Sequence, residues 1–349
     1  FALGAKVIVE RGNCSTPGGK LVLSKTTFTV DNSCDPNAMW NGVQVYGYPN
    51  QQQGTFGTSM QGWLIIQNDS KIEHALKGAI AVKISTLPTY PYNFNAYDYS
   101  YTGGVIQGAK SIFRNNLVDV ELRKYINTTY TNKSSFSDCQ FITDGPLLNF
   151  WLKTQNHVFL NDVRGVGFYG CDFINLHPEL FYYTDRTTGI RSMDATFLVK
   201  SKCAGNTMPC TTYDNSMFKD LYYGIYATGG NSNYTLESDQ SLYINNYYGV
   251  YMKGVNNATL TKNTFEVYRS ASPNPQVANY GLYMTGCTGY TVQENYFTEF
   301  NDPVAIAPGN THGIIVDNSG ELHNEIYKNR FKNINIGGQS QGVNGTLQS

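Results

Sequence analysis

A four-residue phrase with tyrosine, glycine and apolar residues recurs along the C-terminal part of the chain. Successive copies stand 32 residues apart, and each copy is followed by a phrase containing Asn and Phe. The copies are residues 248–251 (YGVY), 280–283 (YGLY) and 312–315 (HGII), with partners at 262–265 (KNTF), 294–297 (ENYF) and 328–331 (KNRF). An internal period of roughly 20 to 50 residues is typical of a solenoid. This repetition therefore constrains the architecture more strongly than any local propensity.

Each repeat consists of short strands and tight turns. Residues 258–261 (ATLT) and 290–293 (YTVQ) alternate apolar and polar side chains, which predicts strands. Asn and Gly between these runs tolerate a positive φ, which favours turns. A unit of this kind cannot bury its apolar face alone, but stacked copies share one core. We therefore predict an all-β fold, a right-handed parallel β-helix (solenoid) of about a dozen coils, with few and short helices.

The repeat extends upstream in a degraded form, which predicts a single domain. Residues 135–141 (SFSDCQF) and 167–173 (GFYGCDF) share the spacing Phe-x-x-Cys-x-Phe and again stand 32 residues apart. Because a solenoid core grows in one dimension, one β-helix domain can span residues 1–349. The tyrosine-rich residues at about 86–102 are predicted to be an insertion between coils. The chain opens in a strand without a signal peptide, so we expect a fragment of a longer secreted protein.

Charge and hydropathy exclude several functional classes. Charged residues make up 15% of the chain and the net charge is −1, so no long-range attraction to nucleic acid or to an anionic membrane is expected. No apolar run approaches the roughly 18 residues of a membrane span. The five His are scattered and no Cys-x-x-Cys pair exists, so neither a metal nor a cofactor is predicted.

The seven cysteines fall into two groups. Cys14 and Cys34 lie in turn-like surroundings, and Cys203 and Cys210 bracket a short loop. Both pairs are predicted to form disulfides, which require an oxidising, extracytoplasmic compartment. The other three cysteines lie inside strand phrases and are predicted to be small buried thiols: Cys139, Cys171 and Cys287.

Tyrosines suggest two further features. In the predicted insertion, tyrosine or phenylalanine occupies nearly every second position, which fits either a weak sugar platform or apolar anchors for a long loop. The candidate ligand-binding residues there are Tyr90, Tyr92, Tyr97, Tyr99 and Tyr101. In the repeats, an aromatic ladder is predicted at Tyr223, Tyr248 and Tyr280, and an amide ladder at Asn263, Asn295 and Asn329.

Catalytic candidates come from charged residues at one coil of spacing. Asp162 and Asp194 stand 32 residues apart, and Arg164 and Arg191 could stack with a small slip. Two carboxylates suit glycoside hydrolysis, and an Arg could neutralise a uronate in a lyase, although a base is missing. In the alternative interpretation, these side chains form salt bridges or cap turns and have no catalytic role.

Several phrases together resemble a group of large secreted proteins of Bacteroidota. They are residues 5–14 (AKVIVERGNC), 119–125 (DVELRKY), 162–173 (DVRGVGFYGCDF), 254–267 (GVNNATLTKNTFEV) and 318–331 (NSGELHNEIYKNRF). The resemblance spans nearly the whole chain and implies a right-handed parallel β-helix exported by the type IX secretion system. That group has no shared catalytic motif, and this chain lacks its C-terminal sorting domain.

Two functions remain open at this stage. The first is a non-catalytic extracellular stalk or surface module, for adhesion or for contact with an extracellular polysaccharide or cell-surface glycan, with the secretion machinery as a partner during export. The second is a β-helix polysaccharide lyase or glycoside hydrolase, with the two Asp and two Arg residues named above.

Overall fold

The chain folds as an all-β parallel β-helix, as predicted. A computed structural model describes residues 1–33, 35–85, 96–125, 132–205, 209–230, 234–268, 278–300, 310–320 and 323–344. Contacts between residues divide the chain into two compact units, Phe1–Gly167 and Phe168–Ser349. The organisation of residues 1–349 as one domain remains a prediction.

In the first unit, successive coils contribute one strand to each of three parallel sheets. The first sheet contains β1 (Lys6–Val9), β4 (Gly42–Val45), β7 (Lys77–Ile80), β12 (Val118–Arg123) and β15 (Asn156–Asn161). The second contains β2 (Lys20–Ser24), β5 (Trp63–Gln67), β10 (Val105–Ala109) and β13 (Ser135–Ser137). The third contains β3 (Thr27–Phe28), β6 (Lys71–Glu73), β11 (Ile112–Arg114) and β14 (Gln140–Thr143). An antiparallel pair joins β8 (Lys83–Ile84), just before the predicted insertion, to β9 (Tyr97–Asp98), which lies within it.

The second unit repeats the three-sheet pattern. Its first sheet contains β18 (Thr188–Met193), β23 (Tyr223–Thr228), β26 (Tyr248–Lys253), β29 (Asn279–Thr285), β32 (Thr311–Asp317) and β35 (Ile336–Gln341). Its second contains β19 (Thr196–Lys200), β24 (Leu236–Asp239), β27 (Thr259–Thr261), β30 (Thr291–Gln293) and β33 (Glu325–Tyr327). Its third contains β17 (Asp172–Asn175), β22 (Met217–Lys219), β25 (Leu242–Asn246), β28 (Thr264–Val267), β31 (Tyr296–Glu299) and β34 (Arg330–Lys332).

Three further strands and the helices complete the described elements. Strand β16 (Arg164–Tyr169) crosses the boundary in sequence between the units, and β20 (Lys202–Cys203) pairs antiparallel with β21 (Tyr213–Asp214). In the described ranges the helices are short 3₁₀ turns: Tyr99–Tyr101, Pro178–Leu180 and Tyr183–Asp185. None of them has the length and apolar character that a membrane crossing requires.

A stack of aromatic rings fills the core of the second unit. One residue from each strand of the third sheet points inward, and neighbouring rings are nearly parallel, with centroids 4.6 to 5.2 Å apart. The members of this core aromatic stack are Phe173, Phe218, Tyr243, Phe265, Phe297 and Phe331. Five of the six rings are buried, whereas Phe331 is 43% exposed. Buried aromatic side chains contribute large apolar areas, so the repeated Phe at Phe265 and Phe297 is a core residue.

An asparagine ladder joins the coils at the turn between the second and third sheets, as predicted. The amide of Asn263 donates to Oδ1 of Asn295 at 3.0 Å, and Asn295 donates to Oδ1 of Asn329 at 3.0 Å. The residue before each of these three Asn has a φ of 54° to 56°, a left-handed conformation that is uncommon for Lys and Glu. The ladder satisfies the polar groups of a tight turn and holds the coils in register.

Glycine occupies its position in the repeated phrase for a steric reason. A Cβ at Gly249 would lie 2.5 Å from the carbonyl oxygen of Gly281 and 2.8 Å from Cδ1 of Phe265. Neither contact leaves space for a side chain, so the backbone packs closely against the next coil and against the core aromatic stack. Only glycine permits this approach.

One of the two predicted disulfides lies among the described residues and is confirmed. Cys203 is bonded to Cys210, with Cα atoms 5.8 Å apart. Cys14 is exposed, whereas Cys34 lies outside the described residues, so that second pairing remains a prediction. The three cysteines predicted to be buried thiols are buried, as expected: Cys139, Cys171 and Cys287.

Candidate functional site

The four predicted catalytic residues are divided between the units. Asp162 and Arg164 belong to the first unit, and Arg191 and Asp194 belong to the second. Both Asp have a left-handed φ, 54° at Asp162 and 48° at Asp194, which is a turn conformation. The carboxylate of Asp194 accepts a hydrogen bond from the backbone N–H of Gly230 at 2.9 Å. These positions suit turn formation, and a catalytic site built from the four residues remains a prediction.

Two of the described tyrosines of the insertion pack against cations. Tyr90 and Tyr92 lie outside the described residues. The guanidinium carbon of Arg123 lies 4.0 Å from the ring centroid of Tyr97, and that of Arg11 lies 3.8 Å from the ring of Tyr101. Such cation–π contacts stabilise a loop over the sheet. Tyr99 is 42% exposed. Ligand binding by these tyrosines remains a prediction.

A buried ionic cluster lies on the first sheet of the first unit. Nζ of Lys77 is 2.7 Å from Oε2 of Glu121, and Nε of Arg123 donates to Oε1 of the same carboxylate. Burial alone would raise the pKa of Glu121, but the two cations together lower it below its usual value. Burial, and then the charge of Glu121, raises the pKa of the Tyr97 phenol. Because Lys77 and Glu121 are almost fully buried, this cluster stabilises the structure and is not accessible to a ligand.

A second buried pair lies in the same sheet. Oδ2 of Asp119 is 2.6 Å from Nδ1 of His157, and the amide of Asn116 donates to Oδ1 of Asp119 at 2.8 Å. Burial raises the pKa of Asp119. Neither Asp119 nor His157 has exposed surface, so the pair contacts no ligand and serves as a polar element of the core.

The most distinctive surface of the second unit is a double row of tyrosines. The repeated phrase places two tyrosines on each of the strands β23, β26 and β29, and all six side chains are partly exposed. The first row contains Tyr223, Tyr248 and Tyr280, and the second row contains Tyr226, Tyr251 and Tyr283. We call this set the tyrosine face.

The rings of each row stack from coil to coil. In the first row the centroids are 4.9 Å (Tyr223 to Tyr248) and 5.0 Å (Tyr248 to Tyr280) apart, and in the second row both steps are 5.3 Å. Interplanar angles are 10° to 26°. Since stacked rings cover one another's faces, a ligand on the outer side meets ring edges and hydroxyl groups.

The pKa is raised for five of the six phenols of this surface. Burial is the largest cause that raises the pKa of Tyr223, Tyr248, Tyr251 and Tyr280, and for all but Tyr280 neighbouring phenols add to the effect. Burial, followed by the charge of Asp317, raises the pKa of Tyr283 to about 12. A neutral phenol both donates and accepts hydrogen bonds, so the face offers both functions at physiological pH.

Charged and aromatic residues border the rows. The guanidinium carbon of Arg191 lies 5.9 Å from the ring centroid of Tyr226. At the other end, the hydroxyl of Tyr283 donates to Oδ2 of Asp317 at 3.4 Å, and His312 packs 5.0 Å from Tyr280. Further tyrosines continue the ring contacts beyond the first row, and Tyr247 among them is buried: Tyr222, Tyr247, Tyr183 and Tyr182.

Alkaline pH is expected to destabilise the second unit through these phenols. A raised folded pKa gives a stabilisation that is complete below the unfolded value, about 10, and is lost as the pH rises through the folded value. For Tyr283 the window therefore runs from about 10 to about 12. The test is a denaturant series across this range with phenolate absorbance recorded in parallel. Tyr283→Phe should lose less stability than the wild type, and full ionisation of the folded protein near pH 10 would contradict the assignment.

Sequence reasoning predicted the first row as an aromatic ladder, and the ring stacking confirms that ladder. It missed the second row as part of the same surface. The available signal was the last tyrosine of each phrase, which recurs at Tyr226, Tyr251 and Tyr283.

The remaining described residues offer no group of three or more His, Cys, Asp or Glu side chains placed to hold a metal ion. The chemistry of the site rests on aromatic rings, hydroxyl groups and single charges.

Comparison with known proteins supports the fold. Residues 200–347 match the sequence model of a family described as a right handed beta helix region. No protein of curated description matches the chain. This family match agrees with the right-handed parallel β-helix predicted from the repeat.

Solved structures with some similarity include three polysaccharide-related proteins. A mutant of the periplasmic alginate epimerase AlgG is 10% identical, over 95% of this chain and 78% of that chain, with a TM-score of 0.45. The tailspike protein gp49 of Acinetobacter baumannii bacteriophage Fri1, a capsular polysaccharide depolymerase, is 13% identical over 95% and 57%, with a TM-score of 0.23. The A-module of the Azotobacter vinelandii mannuronan C-5 epimerase AlgE4 is 10% identical over 99% and 89%, with a TM-score of 0.23.

Proposed function

We propose that this chain is a non-catalytic β-helix module of a secreted or cell-surface protein, and that its tyrosine face contacts an extracellular polysaccharide. The observation that carries the proposal is the double row of partly exposed tyrosines, which repeats at the spacing of the coils. A surface this rich in one amphipathic side chain, built three times over, favours recognition of a repeating ligand.

The chemistry of the face suits sugars. Each row presents one hydroxyl group per coil, and coils of a β-helix lie about 4.8 Å apart. A sugar residue in an extended polysaccharide advances by a similar length, so successive residues can meet successive phenols. Sugar hydroxyls donate and accept hydrogen bonds, as neutral phenols do. Ring edges supply apolar contact to the C–H groups of the sugar.

An extracellular location and an adhesive role complete the proposal. The Cys203–Cys210 disulfide is compatible with an oxidising compartment. Export by the type IX secretion system rests on the resemblance to secreted Bacteroidota proteins. In this proposal the β-helix is a stiff support that holds the tyrosine face away from the cell or from its other domains.

Substitutions at the centre of the face test the proposal. Tyr251 lies between Tyr226 and Tyr283 in its row, so Tyr251→Ala removes both ring contact and hydroxyl. We expect affinity for the bound polysaccharide to fall about tenfold or more, and Tyr251→Phe, which removes only the hydroxyl, to lower it about three- to tenfold. The measurement is calorimetry or affinity electrophoresis across a panel of neutral and uronate-containing polysaccharides.

The matched control is Tyr213→Phe, because Tyr213 is 48% exposed and lies in the antiparallel β21, away from the three strands of the face. Its affinity should equal that of the wild type. Unchanged binding in both Tyr251 variants would reject the tyrosine face as the site. The same panel, incubated with and without Ca²⁺, also tests the enzymatic alternative, since release of unsaturated or reducing ends at enzyme-like turnover would replace the non-catalytic proposal.

A further inference from the structure

The loop between β14 and β15 of the first unit exposes two adjacent aromatic rings. Phe150 is 60% exposed and Trp151 is 70% exposed. Their ring centroids lie 4.6 Å apart with an interplanar angle of 38°. The two rings therefore meet at an open angle and form a small, shallow aromatic surface at the tip of the loop.

The loop that carries these rings is anchored. Leu147 is buried in a cluster with Met39, Leu76 and Leu117, and the flanking Leu148 and Leu152 pack against that cluster. The tip itself is closed by Asn149, whose Oδ1 accepts from the backbone N–H of Trp151 at 3.2 Å and whose carbonyl accepts from Leu152. The aliphatic residues thus hold the loop in place, and the aromatic rings are not needed as anchors.

The exposure of Trp151 is unusual when it is compared with the other tryptophans of the protein. The protein has three tryptophans, and the other two, Trp40 and Trp63, are 0% and 3% exposed. Exposing a Trp and a Phe side by side to water is unfavourable, and adjacent exposed aromatic rings are characteristic of binding surfaces.

The surroundings of the pair favour a sugar over other partners. Asn149, Lys153 and Gln155 flank the rings in the chain and supply amide and ammonium groups of the kind that fix sugar hydroxyls. Two rings are too small a patch for a stable protein interface, which buries about 800 Å² on each partner. A membrane-surface segment carries a broad apolar face bordered by several cations, whereas residues 144–155 contain a single Lys.

We propose that Phe150 and Trp151 form a second glycan-binding site, in which a pyranose ring stacks on the indole and is bordered by the phenyl ring. The choice of a glycan as the ligand rests on the proposed function of the chain. The site itself shares no residue with the tyrosine face, and it is inferred from a different observation, the exposure of these two rings. A second site on the first unit would let one polysaccharide chain, or two, engage the protein at more than one place.

Tryptophan fluorescence tests the site directly, because Trp151 is the one tryptophan with substantial exposure. Iodide should quench a fraction of the emission of the 1–349 chain, and that fraction should be absent in Trp151→Phe. Mannuronate, galacturonate, glucose and mannose oligosaccharides are then titrated in turn. We expect at least one of them to shift the emission to the blue, in a saturable manner, and to protect it from iodide.

Binding of that oligosaccharide, measured by calorimetry, should weaken about tenfold in Trp151→Ala and less in Trp151→Phe, which keeps a ring. Phe56→Ala is the matched control, since Phe56 is 43% exposed and lies in another loop of the first unit, and it should leave affinity unchanged. Tyr251→Phe should leave the fluorescence response intact, so failure of the tyrosine face and failure of this site are separable. No response to any oligosaccharide, equal affinity of Trp151→Ala and wild type, or a blue shift with phosphatidylglycerol vesicles alone would overturn the proposal.

Discussion

Replacing Glu121 by Gln is expected to lower the free energy of unfolding of the first unit by about 3 to 5 kcal/mol. Glu121 is 1% exposed and its carboxylate faces both Lys77 and Arg123. The substitution keeps the shape of the side chain but removes the negative charge. Lys77, which is 5% exposed, then loses the negative charge of Glu121 in an environment with little water. The loss of this charge beside a buried ammonium group is the main cost.

The charge interpretation is tested by a second variant. Lys77→Met combined with Glu121→Leu removes the Lys77–Glu121 ion pair as a whole and should be less destabilising than Glu121→Gln, because the buried ammonium and carboxylate are removed together and only Arg123, whose side chain is 16% exposed, keeps its charge. The matched control is Glu237→Gln, whose ion pair with Lys200 at 2.6 Å has side chains 42% and 34% exposed. A pair exposed to this extent is worth about 0 to 1 kcal/mol. The measurement is denaturant unfolding, followed by the fluorescence of the buried Trp40 and Trp63 for the first-unit variants and by the near-ultraviolet circular dichroism of the tyrosines for Glu237→Gln.

The same variant predicts a pH signature. Because the folded pKa of Glu121 is lowered, its contribution to stability is complete above the unfolded value and is lost as the pH falls through the folded one. Glu121→Gln removes that contribution at neutral pH, so its stability should depend less on pH in the acidic range than that of the wild type. A loss under 1 kcal/mol, or an unchanged acid dependence, would show that the cluster is not a buried ionic unit.

Phe218→Ala is expected to destabilise the second unit by about 3 to 5 kcal/mol. Phe218 has no exposed surface and lies between Phe173 at 4.6 Å and Tyr243 at 5.0 Å in the core aromatic stack. Truncation leaves a cavity between two rings that the backbone ladders of the coils hold at a fixed separation. The site cannot collapse easily, so both the lost transfer energy and the cavity contribute to the cost.

Measurement of this effect uses tyrosine signals, since all three tryptophans precede the second unit in the chain. Near-ultraviolet circular dichroism during denaturant unfolding follows the tyrosines of the stack and of the tyrosine face together. Phe218→Leu should cost less because it refills part of the volume. Leu180→Ala, at a side chain that is 56% exposed, is the surface control and should stay within about 0.5 kcal/mol of wild type. If Phe218→Ala and the surface control were equally stable, the interpretation of the aromatic stack as a core element would be wrong.

A loss of stability in the core aromatic stack also affects the proposed function. The tyrosine face holds its hydroxyl spacing only while the coils beneath it remain stacked, and the core aromatic stack lies under the same coils. A destabilised variant can therefore lose polysaccharide binding without any change at the surface. For this reason the Tyr251 variants should be compared at equal folded fraction, which thermal unfolding provides.

The sequence by itself determined the fold class, because the information is local and repeated. A 32-residue period, alternating strands and turn residues recur often enough to specify stacked coils. The Asn ladder at Asn263, Asn295 and Asn329 and the disulfide Cys203–Cys210 followed from repeat position and from proximity in the chain. In each case the interacting residues are separated by one period or by a short loop, so spacing alone indicates contact.

Only the tertiary structure decided which residues share a surface. In a regular strand, positions three apart point to opposite faces, so alternation places the two tyrosines of a phrase on different sides. In the fold, Gly249 and Val250 are both buried while Tyr248 and Tyr251 are both partly exposed. The alternation is interrupted at Gly249, where the backbone lies close to the next coil, and both rings remain partly exposed. The sequence likewise did not determine that Glu121 is buried or that Trp151 is exposed. Residues more than 30 positions away in the chain cover Glu121, and residues equally distant anchor the loop that leaves Trp151 in solvent.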